Sequence, residues 1–211
     1  MSTVAFSAFY DLLMPELKGA TTSMVDLHLL HTARDFCERT SAWRFPFTVS
    51  STADEDTYDI SAPELRSEIV RVCRLTIDDV VLFDADWQPT LTTDEPSYDR
   101  SSPPFTVNIE NTEITLIEDE IPGEDGTDNI EIVAALKPSF ASTTLPEFLK
   151  FEHLEAMRTG TLSRLMQMGN KPWTDRALAG VYRSEYQAHL QFAASKAQRG
   201  NTRTILRTRP W

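Results

Sequence analysis

Apolar residues recur at helical spacing toward both ends of this chain and at strand spacing in its middle. Near the start, Phe6, Phe9, Leu13 and Leu17 fall 3, 4 and 4 residues apart. That predicts a helix capped by Ser2 or Thr3 and closed by Lys18-Gly19, a cation in the last turn before a glycine suited to the left-handed region. A second stripe runs through Val25, Leu29, Ala33, Phe36, Thr40 and Trp43. It predicts a helix of about five turns that begins at Ser23, with Asp26 three residues on, and ends at Arg44-Phe45-Pro46. Beyond it the period shortens. Segments 47–49, 58–60, 69–77, 80–83, 105–109, 113–117 and 130–136 are rich in β-branched and aromatic residues, which predicts six or so short strands. Asp78-Asp79 is a hairpin-sized turn and Glu110-Asn111-Thr112 a three-residue hairpin loop. The polar stretches 84–104 and 118–129 are expected to be long loops.

Helical spacing returns after Pro138. Thr144 and Glu147 stand at capping-box distance, with Pro146 in the first turn. The stripe Phe151, Leu154, Met157, Thr161, Leu165 and Met168 then predicts one helix to about Met168. Gly160 falls inside it at a cost of about 1 kcal/mol relative to Ala, which points to close approach of another helix. Residues 169–173 form a turn, and Thr174 or Asp175 caps a last helix with Leu178, Tyr182, Tyr186, Leu190, Ala193 and Ala197 on one face, ended by Gly200. The order helices, strands, helices predicts an α+β fold. Residues 1–46 and 142–200 are expected to form a helical bundle base, because each terminal helix has one apolar stripe in need of a partner. Residues 47–141 form an inserted antiparallel β-sandwich or barrel-like domain, and 201–211 a basic C-terminal arm.

Charge divides along the same lines. Residues 50–135 hold 22 of the 32 acids and 4 of the 20 bases, a net of −18, while 136–211 hold 5 acids and 12 bases, a net of +7. An overall charge of −12 argues against broad coating of nucleic acid, which needs clustered Lys and Arg. Opposite charge on two parts of one chain suits contact with a partner or with another copy. Cys37, in a helical pattern, and Cys73, in a strand pattern, read as buried thiols in a reducing compartment. The N-terminal stretch has no cationic region ahead of its apolar residues and does not read as a secretory signal. No run nears the ~18 apolar residues of a membrane span.

Candidate chemistry is sparse. His28 and His31 stand three apart without a third metal ligand, and His153 and His189 lie singly on separate helices, so all four read as surface or interface residues. The acidic clusters Asp54-Glu55-Asp56, Asp84 with Asp86, and Glu118-Asp119-Glu120 with Glu124-Asp125 do not fit a calcium loop and read as a solvated acidic face or an acidic rim. With 32 acids some carboxylate pair always exists, so glycoside hydrolysis has little support. No nucleophile-elbow, P-loop, zinc-protease or dinucleotide motif occurs. The expectation is a protein that is no enzyme and holds no cofactor or metal. The basic end is more informative. Arg199, Arg203, Arg207 and Arg209, with Ile205, Leu206 and Trp211, read either as a frayed, disordered terminus or as an arm that docks on a partner, the apolar residues as anchors and the arginines paired with acids.

Two segments resemble a known family. Leu29 to Trp43 reads LLHTARDFCERTSAW, and Arg158 to Ala193 reads RTGTLSRLMQMGNKPWTDRALAGVYRSEYQAHLQFA. In the spacing of Phe36-Cys37 and Thr40 to Trp43, in Gly160, Leu165, Lys171-Pro172-Trp173 and Asp175, and in the basic end, they resemble the head-to-tail adaptor (neck, connector) proteins of tailed bacteriophages, especially short-tailed ones. The two segments cover about a quarter of the chain. The resemblance implies a virion protein of the neck, made in the host cytoplasm, that forms a ring oligomer, commonly a dodecamer, under the portal. Such a ring extends the DNA channel, lets DNA pass without sequence-specific binding, and docks the tail tube or nozzle protein. It implies portal or neighbouring-subunit contact for Arg199, Arg203, Ile205, Leu206, Arg207, Arg209 and Trp211. An alternative reading is a glycan- or protein-binding β-sandwich module on a helical stalk, with specificity in the two long loops.

Overall fold

The computed structural model describes residues 2–62, 64, 66–85, 105–108, 112–117 and 121–199, the last without its side chain. Within them the fold is mixed α+β, with five α-helices and antiparallel sheets. The first stripe does not make one helix. Strand β1 (Thr3–Ala5) leads into a 3₁₀ turn, a single helical turn α1 (Tyr10–Leu13) and a second 3₁₀ turn that contains Pro15. Ser2 and Thr3 cap nothing, because the backbone of β1 pairs antiparallel with β9 (Thr144–Pro146), Val4 opposite Leu145. Phe9, Leu13 and Leu17 are buried as their spacing requires, and Gly19 takes φ +85°, where a side chain would be strained.

Helix α2 (Thr22–Thr40) buries Val25, Leu29, Ala33, Phe36 and Thr40. It stops at Ser41, which turns left-handed at φ 50°, rather than at Pro46. The chain then enters β2 (Arg44–Ser51), and Pro46 lies inside that strand. Strand β2 is an edge of its sheet, where a residue without an N–H is tolerated.

Six further strands follow: β3 (Thr57–Asp59), β4 (Ser67–Ile77), β5 (Val80–Asp84), β6 (Phe105–Asn108), β7 (Glu113–Leu116) and β8 (Gly126–Pro138). They form a four-stranded sheet in the order β2-β8-β4-β5 and a three-stranded sheet in the order β3-β7-β6. Among the described residues the four-stranded sheet keeps two open edges, so no barrel closes. Asp78 and Asp79 sit at φ 49° and 66°, the left-handed pair that a tight β4–β5 hairpin needs. Strand β8 reaches back to Gly126, into a stretch expected to be loop. Gly126 pairs with Ser51, whose N–H donates to the Asn129 side chain. In its first half β8 alternates, with Ile130 and Ile132 buried and Glu131 exposed. Ala134, Ala135 and Leu136 are then all buried where α2 lies against the strand. Segments 86–104, 109–111 and 118–120, which hold much of the expected loops, lie outside the described residues, as does 200–211.

The predicted helix after Pro138 is broken. Thr144 belongs to β9, Pro146 precedes α3 (Glu147–Phe151) without a side-chain cap, and α4 (Leu154–Met166) starts after His153. The break is held from both sides. Glu152 bonds Lys196 at 2.7 Å, and the His153 ring packs 4.7 Å from Phe36 and 5.9 Å from Phe148. His153 is thus part of the packing, not a lone surface histidine. Asp175 accepts the Leu178 N–H at 2.9 Å and caps α5 (Arg176–Arg199). Helices α2, α4 and α5 pack on one another. At their crossing, a methyl group on Gly160 would lie 2.5 Å from Thr32 Cγ2 and 2.9 Å from the Tyr186 ring, so the glycine marks the close approach that its position predicts. One continuous buried cluster joins these helices to the sheets.

Candidate functional site

The surfaces able to meet a partner lie at two ends of the fold. At one end the β2–β3, β4–β5 and pre-β8 loops gather. The Ala53 N–H donates to Asp125 Oδ1 at 2.8 Å, the Asp54 N–H to the Pro122 carbonyl at 3.0 Å, and the Asn129 amide to Asp78 Oδ1 at 3.1 Å. These bonds hold Asp54, Glu55, Asp56, Asp78, Asp79, Glu124, Asp125 and Asp128 on one exposed tip. Two backbone N–H groups and one side-chain amide order the loops; the Asp125 and Asp78 carboxylates accept two of these bonds, and all eight residues remain exposed. Of the acidic clusters singled out in the sequence, Asp54-Glu55-Asp56 and Glu124-Asp125 converge here; Asp84 ends β5, and Asp86 and 118–120 lie outside the described residues. Among the described residues no three His, Cys, Asp or Glu converge as a metal site.

At the other end, polar and charged side chains tie the helices together. Glu16 accepts the Tyr182 hydroxyl and the Arg158 guanidinium, each at 2.5 Å, joining the N-terminal turns to α4 and α5. Tyr10 donates to Asp26 at 2.6 Å; burial and that carboxylate push its phenol up to about 12. Tyr186, buried at the crossing, donates to Asp35 at 2.9 Å, and burial with the adjacent carboxylate holds it well above the usual phenol range. Around that bond stand Arg39, Arg164 and Arg183, lining a notch of about 310 Å³. Arg164 approaches Asp35 at 3.6 Å and Arg39 at 4.0 Å. Sequence reading missed this group, whose members come from three helices; the Asp35 and Arg39 spacing of one turn is its only local sign.

Apolar side chains are exposed on the same layer. Phe151 and Phe192 are each 71% exposed. The Glu152–Lys196 pair brings the end of α3 beside the last turns of α5, one turn beyond Phe192. His28 and His31 lie 6.4 Å apart on α2, and Phe140 packs edge-on against His31. Burial lowers His28, with the nearby His31 and Arg164 charges adding to the effect. Cys37 and Cys73 are both buried, Cys37 packs within the core, and burial pushes its thiol up.

A cleft of about 450 Å³ opens between the sheets, with Ile60, Ala62, Ile69 and Val107 as apolar walls and Arg66, Glu68 and Lys137 at its polar side. Its size falls in the range of small-molecule sites. No helix of the described residues is long and apolar enough to cross a membrane. Of the arm residues, Arg199 closes α5, its side chain undescribed, and Arg203, Ile205, Leu206, Arg207, Arg209 and Trp211 lie outside the described residues. The chain matches no protein-family model and no curated protein.

Proposed function

We propose that this protein is a structural head-to-tail adaptor of a tailed bacteriophage of the short-tailed type. On this reading it forms a ring, commonly of twelve copies, under the portal, extends the DNA channel and docks the tail tube or nozzle protein. The terminal segments, 1–46 and 142–200, act as a helical base. The inserted β-sandwich, 47–141, projects from it, and the arm, 201–211, reaches the portal or the next subunit. The protein works through shape and contact surfaces, not through turnover.

The observation that carries the reading is the separation of charge. Eight exposed carboxylates gather at the loop end of the sheet, while the arginine-lined notch lies on the helical layer. A subunit with two different, complementary patches is suited to head-to-tail contact, which closes into a ring when the rotation allows. The exposed Phe192, on the helix that leads into the arm, and Phe151, beside it, supply apolar anchors. An acidic lining would keep DNA mobile, since each phosphate contact adds affinity and slows passage.

Sedimentation of the chain mixed with portal protein tests this. The full chain is expected to co-sediment with the portal as a ring-sized complex, and a chain lacking 201–211 to lose most of that binding. Failure of the full chain to bind portal would remove the reading. The cleft between the sheets supports a second reading, a glycan- or protein-binding module on a helical stalk. In that case removal of 201–211 leaves ligand binding unchanged, and substitution of Val107 abolishes it.

A further inference from the structure

Where α2, α4 and α5 cross, Tyr186 and Ser163 form the buried floor of a notch rimmed by Arg39, Arg164 and Arg183. Among the described residues Asp35 is the one acid that lines it. A single carboxylate against three guanidiniums leaves the notch at a formal +2. Tyr186 and Arg164 hold Asp35 in place at 2.9 and 3.6 Å; Arg39 reaches it at 4.0 Å from the rim, where Arg39 and Arg183 are both exposed. Guanidinium forks of this kind grip carboxylates through paired hydrogen bonds.

We infer that the notch is the socket for the acidic tip of a second copy of this chain, with carboxylates such as Glu55 and Glu124 seated on Arg39 and Arg183. The inference rests on the proposed assembly of copies into a ring. Three observations lead to it. The tip is made of exposed acids and the notch is cationic, so their charges are complementary. The two patches cannot meet within one subunit. Asp128 marks the tip near the start of β8, and Lys137 bonds Glu38, beside Arg39, near its end. About nine residues of strand, roughly 30 Å, lie between them. Socket and tip are also different surfaces, the arrangement that propagates from copy to copy rather than stopping at a symmetric pair. DNA is the less suitable occupant: a duplex drawn to the notch would approach a subunit of net charge −12.

The test is a charge swap read by sedimentation at rising protein concentration and at two salt concentrations. Wild type is expected to self-associate, more weakly at high salt. R39E/R183E and E55K/E124K are each expected to weaken association by about tenfold or more, because like charges then oppose each other. An equal mixture of the two variants is expected to recover it, since reversed sockets then meet reversed tips. R39Q/R183Q serves as a milder variant, and an unchanged melting midpoint in each establishes that the fold is intact. If wild type and both charge-reversed variants associate alike, the socket is wrong and the ring reading stands. If wild type never associates, alone or on portal, the ring reading falls and the socket with it. If R39E/R183E loses only binding to a DNA duplex, the notch is a phosphate site and the inference is overturned.

Discussion

Arg34 carries a full charge into a position where only 10% of its side chain is exposed. It is tolerable there because both terminal nitrogens have partners. Two nitrogens bond the Glu68 carboxylate at 3.0 Å each, one also donates to the Pro138 carbonyl, and the Phe140 ring lies 3.6 Å from the guanidinium carbon. Arg34→Ala would leave that carbonyl and carboxylate facing a void. Glu68 is 40% exposed, so water recovers part of the loss. The expected destabilisation is about 2–4 kcal/mol by chemical denaturation, with Arg34→Lys recovering part of it. Stability should also fall in acid. Burial lowers His28 and His153, and the Arg34 hydrogen bond, set against the opposing effect of burial, holds Glu68 below its usual range. A group whose folded pKa is depressed contributes stability above its unfolded pKa and loses it as pH falls. The histidine contribution is therefore expected to fade first, below about pH 6.5, and the Glu68 contribution below about pH 4.5. Thermal midpoints across that range check the order; a midpoint flat down to about pH 5 would contradict the histidine part.

The elements show which signals were local. The stripes in α2 and α5 predicted burial well, since Val25, Leu29, Phe36, Tyr186 and Leu190 all lie in the core. Periodicity reports which face is covered, and that needs only neighbouring residues. The ends of elements were less legible. Ser41 ends α2 through a left-handed φ that no glycine announced, and the pairing of β1 with β9 joins residues about 140 apart. The helix break at Glu152 depends on Lys196 and Phe36, both distant in sequence. Arg39, Arg164 and Arg183 likewise meet only after three helices have packed. Gly160 was the one long-range feature readable from a single residue, and it makes a sharp prediction. Gly160→Ala should gain about 1 kcal/mol of helix propensity but force Thr32 and Tyr186 apart. Overpacking of that kind costs about 1–3 kcal/mol, so a net loss of stability is expected. A rise in the unfolding midpoint would mean that the crossing yields easily.

At the scale of the molecule, the fold makes two ends that do not resemble each other. The sheet carries its acids to a tip ordered by hydrogen bonds between its loops, and the helices collect arginines and exposed phenylalanines at the opposite layer. The −18 block of the sequence foreshadowed the first, because a run of acids on loops must face water. The second is partly hidden: the basic residues cluster visibly in the arm, while the notch arises from single arginines dispersed over α2, α4 and α5. The adaptor reading is tested most directly by electron microscopy of the phage particle that it proposes, with this chain located in the density. The expected image is a ring of identical subunits between portal and tail, helices toward the portal and each acidic tip against the helical layer of its neighbour. A neck built without this chain, or the chain found as isolated copies away from the channel, would contradict it.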